Sequence, residues 1–408
     1  MTRHAITAGF VPLLDSALLV VAREMGFAEE QGIDLTLLRE RSWASIRDRL
    51  AVRHVDVAHI LGPMPIAGNL GLNVPAPEMI VPMSLGLGGN AVTVSPALWQ
   101  RMADNGATAD LDARANGAAL RKAIDAQAGA PLRFAVVHPY SGHNYELRYW
   151  LAASGIDPDR DIDIVVLPPP DMGDALAEGV IDGYCAGEPW NTFGVLRRSG
   201  HLATVKAAIW RSSPEKVLGV NARWGATHPD AMAALLVALH QASLWCARPD
   251  NHEALAHLLA KPAYVDRDAE LLLPALKGTL PVGGGEVRAV RDFFVPNAKA
   301  ATFPWKSHAL WFYTQMVRWR QIEHTAERQR IAAETYRPDV YRAALKHLGV
   351  AMPSASAKVE GALTVETPVG SSGALTLGPD GFFDGGRFDP DDLDAYIAAQ
   401  SAGWMRDA

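Results

Sequence analysis

The sequence predicts an α/β protein made of two α/β units, the second inserted between the first unit and a helical return segment. Strand-like and helix-like segments alternate over residues 5–60, a pattern that is typical of βαβ units. The same alternation recurs over residues 133–208, and from residue 230 the chain becomes mainly helical. Each unit should therefore hold a mostly parallel sheet with covering helices, and ligands of such sheets bind beyond the carboxyl ends of the strands.

The elements of the first unit follow from this pattern in order. Asp15-Ser16 is predicted to cap an amphipathic helix that ends at Gly26, and a second helix is predicted at residues 44–52. Short apolar or alternating runs predict the strands of this unit at residues 5–10, 33–38, 55–60 and 79–84.

The second unit is predicted to open with a short strand after Asn90. Ser95-Pro96 caps its first helix, and the Ala-, Asp- and Gly-rich segment 105–129 predicts an exposed helix or loop insertion. Further helices are predicted at residues 144–153, 172–178 and 189–197. Strands are predicted at residues 91–94, 133–137, 162–167, 181–186, 202–208 and 217–220.

The rest of the chain is expected to pack back on the first unit. Helices are predicted at residues 230–246, 253–259, 269–276 and 307–320, followed by a turn-rich, weakly β-like segment and a short final helix. Chain crossings near 88–90 and 218–220 divide the protein into a first lobe and a second lobe with a cleft between them. The first lobe is residues 1–89 and 220–408, and the second is residues 90–219.

Composition excludes several classes of protein. The 408 residues are 49% apolar and carry a net charge of -7, which argues against a broad basic face for nucleic acid. Cys185 and Cys246 give neither a disulfide framework nor metal-ligand spacing, and are expected to be packed, reduced thiols. The sequence lacks His-Glu-x-x-His, Gly-x-Ser-x-Gly and Walker motifs, and its 13 histidines are scattered. No catalytic residue, metal or cofactor is therefore predicted.

Five short segments offer hydrogen-bond donors just before a predicted helix or at the end of a predicted strand. Backbone N–H groups at such positions bind anions. Because the segments come from separate loops, they indicate one pocket for a small anion in the cleft. The segments are Arg41-Ser42-Trp43, Gly88-Gly89-Asn90-Ala91, Ser141-Gly142-His143, Gly187-Glu188-Pro189-Trp190 and Pro214-Glu215-Lys216.

Several blocks of sequence resemble the nitrate- and bicarbonate-binding proteins of bacterial ABC transporters. The blocks occur in one order over most of the chain, and the resemblance implies a type II periplasmic-binding-protein fold. They are Gly9-Phe10-Val11-Pro12, Ala58-His59-Ile60-Leu61-Gly62-Pro63-Met64-Pro65, the segment 143–153, Leu167-Pro168-Pro169-Pro170 and Gly187-Glu188-Pro189-Trp190-Asn191.

The resemblance also implies a set of nitrate ligands. The pocket tryptophan of the family matches Trp43, its histidine matches His143, the glycine before Glu-Pro-Trp matches Gly187, and its lysine matches Lys216. Asn90 stands where the transporter proteins usually have glutamine, which shortens one donor arm but keeps the amide. Glu188 is expected to have a structural role, pairing across the cleft.

Each of these residues suits a planar monoanion. Lys216 supplies a positive charge, His143, the Asn90 amide and the Gly187 N–H supply directed donors, and Trp43 donates or stacks. Taken singly, each also has an ordinary structural interpretation. Trp43 would then be a core residue, Asn90 a turn or cap, His143 a helix start, Gly187 a turn, and Lys216 a solvated cation.

The chain starts at once into a predicted strand, without an export signal, and a cytoplasmic protein is therefore expected. Within the resembling family, this favours likeness to the cytoplasmic nitrate/nitrite sensor that holds an ANTAR-domain transcription antiterminator inactive until ligand binds. The resemblance thus implies nitrate or nitrite and an antiterminator as partners, with no direct contact to nucleic acid or membrane. The alternatives are an ABC-transporter solute-binding protein for nitrate or bicarbonate, and an enzyme that resembles the thiamin pyrimidine synthases.

Overall fold

The structure is a computed structural model that describes residues 3–127, 129–370 and 374–402. Its strands are β1 (His4–Phe10), β2 (Ile33–Arg39), β3 (Val57–Leu61), β4 (Met79–Ser84), β5 (Leu87–Gly88), β6 (Asn90–Val94), β7 (Leu132–Val136), β8 (Ile162–Val166), β9 (Gly183–Gly187), β10 (His201–Val205), β11 (Lys216–Asn221), β12 (Thr279–Gly283), β13 (Glu286–Ala289), β14 (Phe294–Val295), β15 (Thr367–Val369) and β16 (Leu375–Leu377).

The helices cover both sheets and form most of the second half of the chain. They are α1 (Ala17–Glu24), α2 (Phe27–Glu30), α3 (Trp43–Ala51), α4 (Pro63–Asn69), α5 (Pro96–Asp104), α6 (Ala113–Asp125), α7 (Gly142–Ala153), α8 (Met172–Ala177), α9 (Trp190–Leu196), α10 (Lys206–Ile209), α11 (Ala222–Thr227), α12 (Pro229–Cys246), α13 (His252–Ala260), α14 (Ala269–Lys277), α15 (Lys306–Arg318), α16 (Ala326–Thr335), α17 (Pro338–Leu345) and α18 (Leu393–Ala402).

Two five-stranded sheets form the centre of the fold. The first has the order β2-β1-β3-β11-β4, and the second has the order β10-β6-β9-β7-β8. The predicted α/β class with two sheets is confirmed. In each sheet two strand pairs are parallel and two are antiparallel, because β11 and β6 run against both of their neighbours.

The strands β6 and β11 are the first strands after the two connections between the sheets. The chain leaves the first sheet after β4 and enters the second at β6, and it returns between β10 and β11. Since β11 (Lys216–Asn221) pairs with β3 and β4, the return lies before residue 216, whereas the sequence placed it near 218–220. The division of the chain into two lobes stays a prediction.

The helical return segment packs on the first sheet, as predicted. The helix α12 contacts α1 and α2, α17 contacts β4, and α16 contacts α4. Both cysteines are free and buried, as expected. Within the described ranges, no single helix has the length and apolarity to span a bilayer; α12 and α13 reach that composition only together, and they are bent by 91°.

Three local predictions differ from the structure. The predicted strand 202–208 ends at Val205, and α10 follows because its first residue, Lys206, turns its side chain into a buried cluster of carboxylates. The segment 105–129 is not an exposed insertion: α6 buries one face, and the Asn116 amide donates to Ala203 O at 2.6 Å. Asp15 does not cap α1, since its carboxylate binds other side chains.

The chain from residue 279 onward contains elements that the sequence predicted only in part. The hairpin β12–β13 was missed. The turn-rich segment contains the short pair β15–β16, as its weak β character indicated. Asp392 accepts from Ala395 N at 3.3 Å at the start of α18, as predicted for the final helix.

Candidate anion-binding site

Helix starts position two of the predicted site residues. Trp43 is the first residue of α3, which Ser42 caps by accepting a hydrogen bond from Ser45 N at 3.2 Å. His143 is the second residue of α7, which Ser141 caps in the same way from Asn144 N at 3.0 Å. Both helices follow a parallel strand, so their first turns lie beyond the carboxyl ends of β2 and β7.

Strand ends position the other three. Gly187 is the last residue of β9, and it pairs directly with Asn90, the first residue of β6. Lys216 is the first residue of β11, and it pairs with Leu61 at the end of β3. Because β6 and β11 run antiparallel to these neighbours, their first residues lie at the carboxyl edge where ligands of α/β sheets bind.

Lys216 lies at the centre of a buried group of charges. Only 1% of its surface is exposed, and its ammonium lies 2.8 Å from both Asp15 Oδ2 and Glu215 Oε1. The same ammonium lies 5.5 Å from the centre of the Trp43 ring. Burial alone would lower the pKa of Lys216, but the two carboxylates outweigh burial and raise this pKa. Lys216 is therefore a permanent cation beside an aromatic wall.

Asp15 connects Lys216 to a second histidine. Its Oδ1 atom lies 2.8 Å from His59 Nε2, and the His59 ring centre lies 5.3 Å from that of Trp43. Burial alone would raise the pKa of Asp15, but Lys216 and His59 outweigh it and lower this pKa to about 2. Burial lowers the pKa of His59 despite the Asp15 carboxylate. Asp15 is therefore an anion next to a neutral imidazole at neutral pH.

Glu215 joins Lys216 to the residues of the second sheet. Its Oε2 atom accepts from Asn90 Nδ2 at 2.7 Å and from Lys206 Nζ, and its Oε1 atom lies 3.4 Å from His143 Nδ1. Burial opposes ionisation of Glu215, but His143, Lys206 and Lys216 outweigh it and hold its pKa well below the usual range. Three of the five predicted ligands thus surround one carboxylate.

His143 and Trp43 bring buried polar atoms that lack a partner. His143 is fully buried, and desolvation, reinforced by Lys216 and Lys206, lowers its pKa to about 3 although Glu215 opposes this. Within the part of the chain that the structure describes, neither ring nitrogen of His143 nor Nε1 of Trp43 makes a hydrogen bond. Such unsatisfied groups cost free energy unless a ligand or water satisfies them.

Gly187 leaves room beside these residues. A Cβ atom at this position would lie 3.3 Å from Asn90 Oδ1 and 3.7 Å from Asp15 Oδ2. The next residue, Glu188, connects the two sheets through its backbone, because its carbonyl accepts from Leu14 N at 2.8 Å. Its carboxylate instead accepts from Thr192 N at 3.1 Å, and burial raises its pKa to about 7. The side chain therefore pairs with the first turn of the following helix, α9, rather than across the cleft.

The structure brings all five predicted residues to one place, linked through Asp15 and Glu215. Sequence reasoning missed these two carboxylates as members of the site. Glu215 had a signal, since it directly precedes Lys216, whereas Asp15 was read as a helix cap. His59, Glu146 and Lys206 carried no motif of their own; Lys206 Nζ lies 2.8 Å from Glu146 Oε1.

The groups that this site offers suit the binding of an anion. Among residues 3–127, 129–370 and 374–402, no group of three or more His, Cys, Asp or Glu side chains is arranged to hold a metal ion. Neutral N–H donors, one aromatic face and one buried ammonium are groups that bind oxygen atoms of an anion.

A comparison with protein families decides which family the chain belongs to. Residues 2–260 match the NMT1-like family. The chain belongs to this family. The nitrate/nitrite binding protein NrtA of Synechococcus elongatus is 33% identical over 406 residues, covering 96% of this chain and 85% of NrtA. The predicted resemblance to nitrate-binding proteins is thereby confirmed, while closeness to the cytoplasmic sensor stays a prediction.

Other members of the family agree with the fold. The crystal structure of the periplasmic nitrate-binding protein NrtA from Synechocystis superposes with a TM-score of 0.86 at 28% identity and covers 98% of both chains. The nitrate import ATP-binding protein NrtC of Synechocystis is 35% identical over 344 residues, which are 84% of this chain. The chain spans about half the length of NrtC. The periplasmic-binding-protein-like fold is therefore established for this chain.

Proposed function

We propose that the protein binds nitrate or nitrite at the site formed by Trp43, Asn90, His143, Gly187 and Lys216. One observation carries the proposal: among the described residues, the buried indole N–H of Trp43 and the ring nitrogens of His143 make no hydrogen bond, and they lie beside the buried Lys216 ammonium. A bound oxyanion accepts from the indole N–H and from the one N–H of the neutral imidazole, and it gains the attraction of Lys216. The NrtA relatives are nitrate- or nitrite-binding proteins, which supports the same ligands.

The charge balance of the site favours a monoanion. Asp15 and Glu215 already compensate the cations Lys216 and Lys206. A dianion such as sulfate would bring two further negative charges into a buried group that holds no spare cation, at a cost of several kcal/mol. Nitrate brings one delocalised charge and three coplanar oxygens, which suit the in-plane donors of the site.

Titration calorimetry with the sodium salts of nitrate, nitrite, bicarbonate and sulfate tests this proposal. We expect nitrate or nitrite to bind and sulfate not to bind. Binding of bicarbonate alone, or of none of the four anions, would contradict the assignment.

The variants His143→Ala and Lys216→Ala test whether binding occurs at this site. We expect both to lose measurable nitrate binding, because each removes a group that faces the proposed anion. His240→Ala is the matched control, since His240 is also a buried histidine but lies on α12, outside the site. Nitrate affinity close to that of the wild type in both site variants would place the ligand elsewhere.

We further propose that the protein is a cytoplasmic sensor whose ligand state controls an ANTAR-domain antiterminator of nitrate assimilation genes. A ligand shifts partner affinity only by its different affinity for the two states, and the coupling is reciprocal. We therefore expect nitrate to release the antiterminator and the antiterminator to weaken nitrate binding. Size-exclusion chromatography of the two proteins with and without nitrate measures the release, and no complex in either condition would refute this role.

A solute-binding role in an ABC importer is the second candidate. It is favoured by the relatives NrtA, a nitrate/nitrite binding protein, and NrtC, a nitrate import ATP-binding protein. Cell fractionation distinguishes the two roles, because an importer's solute receptor works outside the cytoplasmic membrane. Recovery of the protein outside the cytoplasm, with nitrate uptake lost on deletion of its gene, would replace the sensor role by this one.

A further inference from the structure

The carboxylate of Glu215 lies where several donors of the proposed anion site converge. Asn90 Nδ2 donates to its Oε2 atom at 2.7 Å, Lys216 Nζ lies 2.8 Å from its Oε1 atom, and His143 Nδ1 lies 3.4 Å from the same atom. The Glu215 side chain is 2% exposed. Two of the five predicted nitrate ligands, Asn90 and Lys216, therefore already hold an anion that belongs to the chain itself, and His143 lies beside it without a hydrogen bond among the described residues.

The surroundings of this carboxylate are those of a bound anion. A Cβ atom on Gly142 would lie only 2.5 Å from Glu215 Oε2, so a side chain at this position would displace the carboxylate. Gly142 is the first residue of the 12-residue helix α7, whose N-terminus carries partial positive charge. A carboxylate is planar and carries one delocalised negative charge, as nitrate does, and it accepts hydrogen bonds in its plane.

The orientation of the Asn90 side chain also indicates that Glu215 uses donors of the anion site. Because its Nδ2 donates to Glu215, its Oδ1 atom is the end left beside Gly187, and this oxygen is buried without a hydrogen bond among the described residues. A nitrate ion needs donors and gains nothing from that oxygen. The amide hydrogen that Asn90 gives to Glu215 becomes available to nitrate only when the amide leaves this carboxylate.

We propose that Glu215 is an internal competitor for the anion site and thereby determines its affinity and selectivity. This inference rests on the proposed function of the site. An external anion binds by taking Asn90 from Glu215 and by accepting from the neighbouring His143, while Glu215 keeps Lys206 and Lys216 as partners. Planar oxyanions replace the carboxylate at these donors, whereas a spherical halide meets only one or two of them and does not displace it.

Three variants test the competition. In Glu215→Gln the competing charge is gone, and we expect nitrate to bind about tenfold more tightly. This is the effect of one charge-assisted hydrogen bond that nitrate no longer has to break. Glu215→Asp keeps the charge but withdraws the carboxylate by one methylene. Tighter nitrate binding in this variant would therefore show that the carboxylate of the wild type occupies donors of the site, since the charge is unchanged. Glu360→Gln is the matched control, because Glu360 is also a buried carboxylate that pairs with a lysine and a histidine, Lys358 and His308, outside the proposed anion site.

Calorimetry with sodium nitrate and sodium chloride gives the readout, and thermal melts check that each variant is folded. The inference predicts tighter nitrate binding in Glu215→Gln and Glu215→Asp, chloride binding that appears in Glu215→Gln, and an affinity within about twofold of the wild type in Glu360→Gln. Weaker or unchanged nitrate binding in Glu215→Asp overturns the inference. If Glu215→Gln does not fold, Glu215→Asp alone decides the question.

The outcome for the wild type separates the two proposals. If the wild type binds nitrate and neither Glu215 variant binds it more tightly, the inference fails and the proposed function stands. If none of the proteins binds nitrate or nitrite, both fail. If only the Glu215 variants bind nitrate, the competition is stronger than the external anion, and the inference is supported.

Discussion

Replacing Lys216 by methionine tests how much the buried ion-pair group contributes to stability. The change keeps most of the side-chain length and removes the ammonium that lies 2.8 Å from Asp15 and from Glu215. Two buried carboxylates then face each other with less compensation. Breaking a buried pair by removing one partner costs about 3–5 kcal/mol, so we expect the free energy of unfolding to fall by that amount at pH 7.

The pKa of Asp15 gives an independent measure of the same effect. The value falls from 3.8 to about 2 on folding, which corresponds to about 2.4 kcal/mol at about 1.36 kcal/mol per unit. Because the pKa is lowered in the folded state, this stabilisation is present above pH 3.8 and is lost as the pH falls towards 2. In Lys216→Met the part of this lowering that comes from Lys216 is lost and only the part from His59 remains, so the difference between variant and wild type should shrink over that pH range.

Urea denaturation at pH 7 and at about pH 3 measures these free energies. Lys261→Met is the control, since Lys261 pairs with Glu24 at 2.9 Å but its side chain is 53% exposed. Exposed pairs contribute about 0–1 kcal/mol, and the control should lose no more than that. A loss below about 1 kcal/mol in Lys216→Met, or a loss that does not depend on pH, would refute the account of the buried ion pairs.

Three further predictions concern the ligand. Trp43→Phe keeps the ring but removes the unpartnered N–H, and calorimetry should show nitrate binding weakened about tenfold; an unchanged affinity would mean that the indole only stacks. Gly187→Ala places a methyl group 3.3 Å from Asn90 Oδ1, and we expect weaker nitrate binding at an unchanged melting temperature, whereas equal affinity would exclude close approach of the anion. Burial holds the pKa of free His143 at about 3, and a bound anion must raise it, so nitrate affinity should increase as pH falls. Calorimetry in buffers of different ionisation enthalpy should detect proton uptake on binding, and proton release would contradict this.

Much of the fold follows from local sequence. The predicted helices and strands of residues 5–60 are reproduced within about two residues because each has a regular period and a clear end signal, while the one-turn helix α2 (Phe27–Glu30) was not predicted. The errors arise where tertiary contacts decide. Residues 202–208 look like one apolar strand, yet Lys206 starts a helix because its ammonium reaches Glu146 and Glu215. Nothing local to residue 206 encodes those partners.

The hydrogen-bond donors of the candidate site were predicted from the sequence, whereas its two carboxylates were missed. Trp43, His143 and Gly187 occur at helix starts or strand ends, and such positions are visible in sequence. Asp15 and Glu215 also lie beside a helix start and a strand start, but their partners are up to 201 residues away in the chain. A carboxylate next to an expected anion site implies charge repulsion, and it becomes plausible only when the buried cations that compensate the carboxylate are located.

The positions of Asn90 and Lys216 make anion binding depend on the relative orientation of the two sheets. Each is the first residue of a strand that the chain enters on crossing from one sheet to the other. A relative rotation of the sheets therefore moves these two donors with the crossing strands themselves, without an intervening loop to absorb the motion. Substitutions in the crossing segments 85–89 and 206–215 should consequently change how fast the anion enters and leaves, even where they touch no ligand atom.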